Sequence, residues 1–252
     1  MNYSLLCASV RAQRPLIHCI SNIVSANDCA NLALTVGASP IMAQAPEETA
    51  HIAALASALV LNTGTPDTQK FPACRNALLA ARKKGIPVVL DPVGIGASPW
   101  RAENIFALLS CGSPDIMRIN ASEALTLLGL HADEHGVDNG SVTSDNEALA
   151  VRLASEYHCT VLLSGTDDFI SDSRRTVKIS GGSGRMRNVT GAGCMLTVLC
   201  GVFAAVEKDY FTACVCASRF WKDCAEAAHK VPGAGSYHAA IFDAAEKLSG
   251  GC

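Results

Sequence analysis

The segment Thr190-Gly191-Ala192-Gly193-Cys194 carries the sharpest chemical signal in the chain, because it runs directly into an apolar stretch that reads as a helix. Glycines let backbone N–H groups approach a ligand, and the start of a helix favours an anion. The segment is an oxyanion or phosphate hole on one reading and a tight turn before a core helix on the other. Cys194 falls in the first helical turn, where a thiol can serve as a base or nucleophile. The plainer reading is a core thiol, one of 12 cysteines in the chain. Covalent cysteine chemistry would also need a base partner, and no histidine stands near Cys194 in the sequence.

Asp91 ends the apolar run 88–90 and precedes Pro92-Val93-Gly94. From there a carboxylate could hold a hydrated Mg2+, or it could simply form a turn. Asn120-x-x-Glu123 stands where a strand should give way to a helix. Its amide and carboxylate suit phosphate or metal-bound water, and they also suit an ordinary helix start. Two carboxylates at neighbouring strand ends, together with the glycine turn, point to Mg2+-nucleotide chemistry. Arg118 could pair with a phosphate or form a surface salt bridge. Met42 could lay its sulfur on an aromatic ring or fill core.

Short apolar strands and amphipathic helices must position these groups. Strands are expected over 16–20, 41–42, 58–61, 88–90, 116–119 and 160–164, with a hairpin over 168–171 and 175–179. Helices are expected from a cap at Asn27 or Asp28 to 36, then over 46–56, 68–84, 100–110 and 122–128. The stretch 131–143 reads as a loop, and Ser144-x-x-Glu147 is a capping box for a helix to 157. A buried helix follows Gly191, and two more cover 211–229 and 237–248. Strands joined by single helices imply right-handed crossovers and a mostly parallel sheet. The expected fold is one α/β domain over 1–252, three-layer α/β/α with a mostly parallel central sheet. Ligands bind beyond the carboxyl ends of such strands. That rule singles out Asn22, Met42, Asn62, Asp91, Asn120 and Ser164.

Other chemistries are excluded by pattern. There is no G-x-x-x-x-G-K-[ST], no G-x-S-x-G and no C-x-x-C, and His and Cys never fall at metal-ligand spacing. Gly191-Ala192-Gly193 fails as a dinucleotide fingerprint because Leu196 takes the third glycine position. The 252 residues are 17% charged with net charge -3, which gives no pull toward nucleic acid or anionic lipid. Two uncharged stretches, 29–46 and 188–206, are broken by Asn31, Pro40 and glycines, and read as buried elements, not membrane spans. Without a signal-peptide core, 12 cysteines in apolar runs imply a reduced, cytoplasmic protein.

Several segments, in order, resemble the ribokinase-like superfamily and, within it, the hydroxyethylthiazole kinases. They are His18-Cys19-Ile20-Ser21-Asn22, 37–43, Leu59-Val60-Leu61-Asn62-Thr63-Gly64-Thr65 and 87–94. Further on come Arg118-Ile119-Asn120-Ala121-Ser122-Glu123, Gly136-Val137-Asp138 and Val189-Thr190-Gly191-Ala192-Gly193-Cys194. The resemblance spans about 15–248, and cysteine in place of the superfamily's aspartate after Gly-Ala-Gly is its most informative letter. It implies ATP-dependent phosphorylation of the primary hydroxyl of 4-methyl-5-(2-hydroxyethyl)thiazole, with Mg2+, in thiamine salvage. On the same resemblance, Met42 and the Gly191 backbone contact the thiazole, with Asn22 in the same pocket. Arg118, Asn120 and Ser164 serve ATP. Asp91 and Glu123 organise Mg2+ and its waters. Gly191, Ala192 and Gly193 form the anion hole, and Cys194 stands beside the substrate hydroxyl. The resemblance also implies a homotrimer with the pocket at subunit interfaces. Three positions depart from the family's usual letters: Ile119 for Gly, His135 for Lys and Ser164 for Thr. A β-branched Ile119 cannot easily adopt positive φ, so the backbone there should be ordinary or adjusted. The rivals are a kinase for a pyrimidine or sugar alcohol, a non-catalytic ligand-binding relative, and an ATP-using dehydratase on the same fold.

Overall fold

The computed structural model describes residues 2–130 and 142–251. His135 and Gly136-Val137-Asp138 lie outside the described residues, as does the side chain of Ser144 and with it the expected capping box.

Ten α-helices and eight strands are described. The strands are β1 (Leu16–Ile20), β2 (Ser39–Ile41), β3 (Ala58–Asn62), β4 (Val88–Asp91), β5 (Ile116–Asn120), β6 (Thr160–Ser164), β7 (Asp168–Ser171) and β8 (Thr176–Ile179). They form one sheet in the order β2-β1-β3-β4-β5-β6-β7-β8. β1 to β6 pair in parallel, and the β7–β8 hairpin is added antiparallel.

The helices are α1 (Tyr3–Gln13), α2 (Ala26–Thr35), α3 (Pro46–Leu55), α4 (Lys70–Lys84), α5 (Pro99–Ser110), α6 (Ala121–Leu127), α7 (Val142–Tyr157), α8 (Ala192–Ala204), α9 (Tyr210–Ala227) and α10 (Ala234–Leu248). Successive strand residues point to opposite faces, which divides the core in two. Val60, Val89, Ile116 and Leu162 meet the apolar sides of α1, α2, α8, α9 and α10. Leu59, Leu61, Val88, Leu90, Met117, Ile119, Val161 and Leu163 face α3 to α7. Both faces are therefore covered, and the central strands can be apolar throughout. The three-layer expectation holds. Ile119 lies inside β5 and is absent from the residues with positive φ, so its backbone is ordinary, as its branching requires.

Several boundaries differ. α1 was not anticipated, although Tyr3, Leu6, Cys7 and Val10 recur at helical spacing and pack on the core; the exposed Leu5 beside them blurs that face. α2 starts ahead of Asn27, after Ser25, and Ser25 makes no side-chain cap because its hydroxyl donates to Asn22 Oδ1 instead (3.0 Å). β2 ends before Met42, which sits in the loop beyond it. At this edge the sheet offers three residues, one of them Pro40.

Among the described residues 11 cysteines are unpaired, and nine of these are buried. Burial pushes the Cys7 thiol up to about 11 and those of Cys19, Cys74 and Cys159 up to about 12, so they act as small apolar groups. Among the described residues no helix is long and apolar enough to cross a membrane.

Candidate active site

The chain leaves β1 toward β2 on one side and returns in β3 on the other, so a crevice opens between the ends of β1 and β3. Asn22 follows β1 and Asn62 ends β3, one on each side of that crevice. Both are buried, and Asn22 Nδ2 donates to Asn62 Oδ1 across 3.2 Å. The start of α8 approaches the same place from the opposite layer. Asn22 Nδ2 also donates to Cys194 Sγ, at 3.1 Å. Cys194 is half-buried, unlike the core thiols.

Gly191 caps α8 with φ of 81°, a left-handed conformation, and a Cβ there would come 2.5 Å from Ser25 Cβ. Gly193 is glycine for a different reason: a Cβ would overlap the Arg118 guanidinium, which lies across the turn. Arg118 is pinned there by Ser164 Oγ at 2.5 Å and Asp91 Oδ1 at 3.4 Å, while its Nε is buried without a partner.

Asp91 is fully buried. Its Oδ2 accepts from Thr197 Oγ1 at 2.7 Å and from Asn62 Nδ2 at 3.1 Å. Burial pushes its carboxyl above the ordinary range, against the pull of Arg118 and Thr197. Glu123 is also buried and also shifted upward, first by desolvation and in part by repulsion from Asp91. Its Oε1 accepts from Gly94 N (2.9 Å) and its Oε2 from Asn120 N (3.1 Å), while Asn120 Oδ1 accepts from Glu123 N (2.9 Å). Asn120-x-x-Glu123 is thus a true capping box that also ties the turn after β4 to the start of α6. The two readings of this motif are compatible: the box fixes the carboxylate next to Asp91.

Among the described residues no group of three or more His, Cys, Asp or Glu could hold a metal alone. The donor set does fit a hydrated Mg2+ shared with phosphates, since that ion keeps several waters and needs only one or two carboxylates. Two buried carboxylates, one at the end of β4 and one just beyond the end of neighbouring β5, are the observation behind this fit.

Beyond β5 and β6 a cleft of about 730 Å3 opens, lined among others by Arg118, Asn120, Ser164, Gly182, Met186 and Lys222. This volume suits a nucleotide-sized ligand. Asn22, Asp91, Arg118, Asn120, Glu123, Ser164 and Gly191 to Cys194 therefore converge on one continuous region. Met42 stands further out past β2, where it packs on the same core cluster that Cys194 borders. Its neighbour Ala43 accepts a hydrogen bond from buried His18 Nε2 at 2.8 Å, and burial holds that imidazole below its ordinary range, neutral.

Four further residues shape the region without having been singled out for it. Thr197 carries a lone hydroxyl in an uncharged helix, and it meets Asp91 one turn below the glycines. Lys70 is buried and donates its ammonium to Ser21 O, fixing the residue before Asn22. Asp168 accepts from Gly165 N (3.0 Å) and Ser218 Oγ (2.7 Å), and Lys222 Nζ donates to Thr166 O (2.9 Å). Together they clamp the turn after Ser164. A charged or hydroxyl residue inside an otherwise apolar helical face was the available signal for Thr197 and Lys222.

A family model described as the hydroxyethylthiazole kinase family matches residues 7–250. The hydroxyethylthiazole kinase of Methanocorpusculum labreanum is 40% identical over 98% of this chain and 94% of its own length. That of Listeria monocytogenes serotype 4a is 44% identical over 83% of this chain and 78% of its own. Among solved structures, the hydroxyethylthiazole kinase protein from Pyrococcus horikoshii OT3 superposes with a TM-score of 0.87 at 34% identity, covering 97% of this chain and 92% of that one. A ribokinase-like superfamily protein from Enterococcus faecalis gives 0.69 at 12% identity, over 98% and 95%, a likeness of fold alone.

Proposed function

Because this chain belongs to the hydroxyethylthiazole kinase family, we propose that it transfers the γ-phosphoryl group of ATP to the primary hydroxyl of 4-methyl-5-(2-hydroxyethyl)thiazole, a step of thiamine salvage. The observation that carries the proposal is the placement of Cys194. Its thiol stands in the first turn of α8, directly after the glycine turn, at the mouth of the crevice between β1 and β3.

Phosphoryl transfer passes through a loose transition state, so positioning and charge neutralisation supply most of the catalysis. In this reading the backbone N–H groups at Gly191 and Gly193 face the transferring phosphoryl group, aided by the helix start, while that of Ala192 donates to Val189 O at 3.2 Å and holds the turn that forms the anion hole. Arg118, Asn120 and Ser164 hold the nucleotide phosphates in the cleft. The Gly191 backbone and Met42 hold the thiazole, with Asn22 beside it. Cys194 orients the hydroxyl and accepts its proton late, as the new O–P bond forms. Asp91 and Glu123 would hold Mg2+ through its waters, and the ion would neutralise phosphate charge. The whole chain is read as one such domain. A homotrimer with the pocket completed by a neighbouring copy is supported by Ile23 and Val24, apolar side chains beside Asn22 that are 75% and 60% exposed. The free thiols support a reducing, cytoplasmic setting.

The direct test is ATP consumption with the thiazole alcohol, with the phosphorylated product identified by mass. Turnover with a pyrimidine or sugar alcohol, and none with the thiazole, would replace this substrate. Cys194→Asp should remain a working kinase, because a carboxylate can orient the same hydroxyl; complete loss of turnover in a folded variant would remove the role given to the thiol. Glu123→Gln should lower kcat about 10-fold and raise the Mg2+ concentration needed for half-maximal rate. An unchanged rate and Mg2+ titration would take Glu123 out of the site.

A further inference from the structure

Resting on that reading, we propose that Asn62 is a positioning residue that joins the Asp91 carboxylate to the Cys194 thiol through Asn22. The contacts diverge from the Asn22 amide, which donates on one side to the sulfur and on the other to Asn62, and Asn62 donates on to Asp91. Asn62 Nδ2 donates to Asp91 Oδ2 (3.1 Å), Asn62 Oδ1 accepts from Asn22 Nδ2 (3.2 Å), and Asn22 Nδ2 donates to Cys194 Sγ (3.1 Å). The thiol and the carboxylate lie on different elements, and no direct bond links them.

The backbone sets the direction of each amide. Asn22 Oδ1 accepts from Val24 N (3.1 Å), Ser25 N (3.0 Å) and Ser25 Oγ (3.0 Å). Asn62 Oδ1 accepts from Gly64 N at 2.9 Å. Turning either amide over would set an NH2 group against backbone N–H donors, so only one orientation is allowed. Both hydrogens of Asn22 Nδ2 are then committed, one to Asn62 and one to the sulfur. Without the acceptor on Asn62, one Asn22 hydrogen is left unpaired in a buried place and the amide is held at its oxygen alone, so its donor to the sulfur is less firmly placed.

The two ends have complementary duties. Asp91 draws on Asn62, and the two hydrogen bonds that run from Asn22 through Asn62 to Asp91 polarise one another. At the other end Asn22 presents a donor to the sulfur, so Cys194 is held as an acceptor facing the crevice. The sulfur must carry its negative charge before it can accept the hydroxyl proton; a donor already in place favours that charge, which is neutralised as the proton arrives. Asn62 itself, 2% exposed, is too buried to touch a ligand, and its influence passes entirely through its neighbours.

The test uses Asn62→Ala in the full chain, with steady-state kinetics and iodoacetamide labelling of Cys194 read by mass spectrometry. Cys194 and buried Cys200 fall in one tryptic peptide, 188–208, so Cys200 reports in the same spectrum whether the fold is intact. We expect kcat to fall about 10–100-fold, KM for both substrates to stay within about threefold, and Cys194 labelling to slow by about fivefold or more while Cys200 stays unlabelled. Asn62→Ser, whose side chain is too short to span Gly64 N and Asp91, should behave alike. Wild-type kcat, or a fallen kcat with Cys194 labelling unchanged, overturns the link to the thiol. Labelling of Cys200 in both variants overturns it in favour of a purely structural role. If the wild type fails to phosphorylate the thiazole, the labelling arm still decides the link, so the two failures are distinguishable.

Discussion

Gly193→Ala should lower kcat about 10²–10³-fold while leaving the protein folded. The added Cβ would occupy the space now filled by the Arg118 guanidinium. Arg118 cannot yield freely, because Ser164 and Asp91 hold it and its stem lies in β5. Either the guanidinium is expelled from the phosphate region or the first turn of α8 shifts away from it. Both outcomes misplace donors meant for a developing charge. Alanine is a better helix former than glycine, so thermal unfolding should not move downward by much. The measurements are kcat and KM for ATP beside a melting curve. Near-wild-type turnover would mean that Arg118 leaves this position during the reaction without consequence.

Asp91→Asn should destabilise the fold by about 3 kcal/mol and lower turnover by at least about 10²-fold. The carboxylate is met by Thr197 Oγ1, Asn62 Nδ2 and the Arg118 guanidinium, every one of them able to donate. An amide of the same shape must turn its NH2 toward at least one of those donors, and it leaves the largely buried Arg118 guanidinium without a counter-charge. Burial raises the proton affinity of Asp91, yet a protonated carboxyl would meet the same conflict, which favours the ionised form beside Arg118. Urea unfolding of both proteins gives the stability difference. A cost below about 1 kcal/mol would mean that the acid is held neutral and that Arg118 has another source of compensation.

The fold was legible because its strands are short apolar runs bounded by turn residues and its helices carry distinct ends. β1 and β6 match the expected ranges residue for residue. α1 escaped although Tyr3, Leu6, Cys7 and Val10 recur at helical spacing, because the exposed Leu5 beside them blurs the apolar face. The strand-end rule located Asn22, Asp91, Asn120 and Ser164, since their placement follows from topology alone. What it could not supply was pairing across layers. Thr197 lies 106 positions from Asp91, and Asn22 lies 172 positions from Cys194. Nothing local in a single sequence records such contacts. Asn62 was visible as a strand end, but its bond to Asp91 depends on the register of β3 against β4, in which the two residues stand side by side.

The sheet has two open borders, and neither invites extension. β2 offers only three residues, including a proline that lacks an amide hydrogen. β8 is four residues long and carries Lys178, whose ammonium is paired with Asp167 at 2.7 Å. A lysine and a short run are the usual means of discouraging strand addition. Among the described residues, both borders of the sheet therefore disfavour its continuation from one subunit into the next. Such borders favour assembly through helices and loops over fibre-like growth by edge pairing, and they are compatible with closed rings.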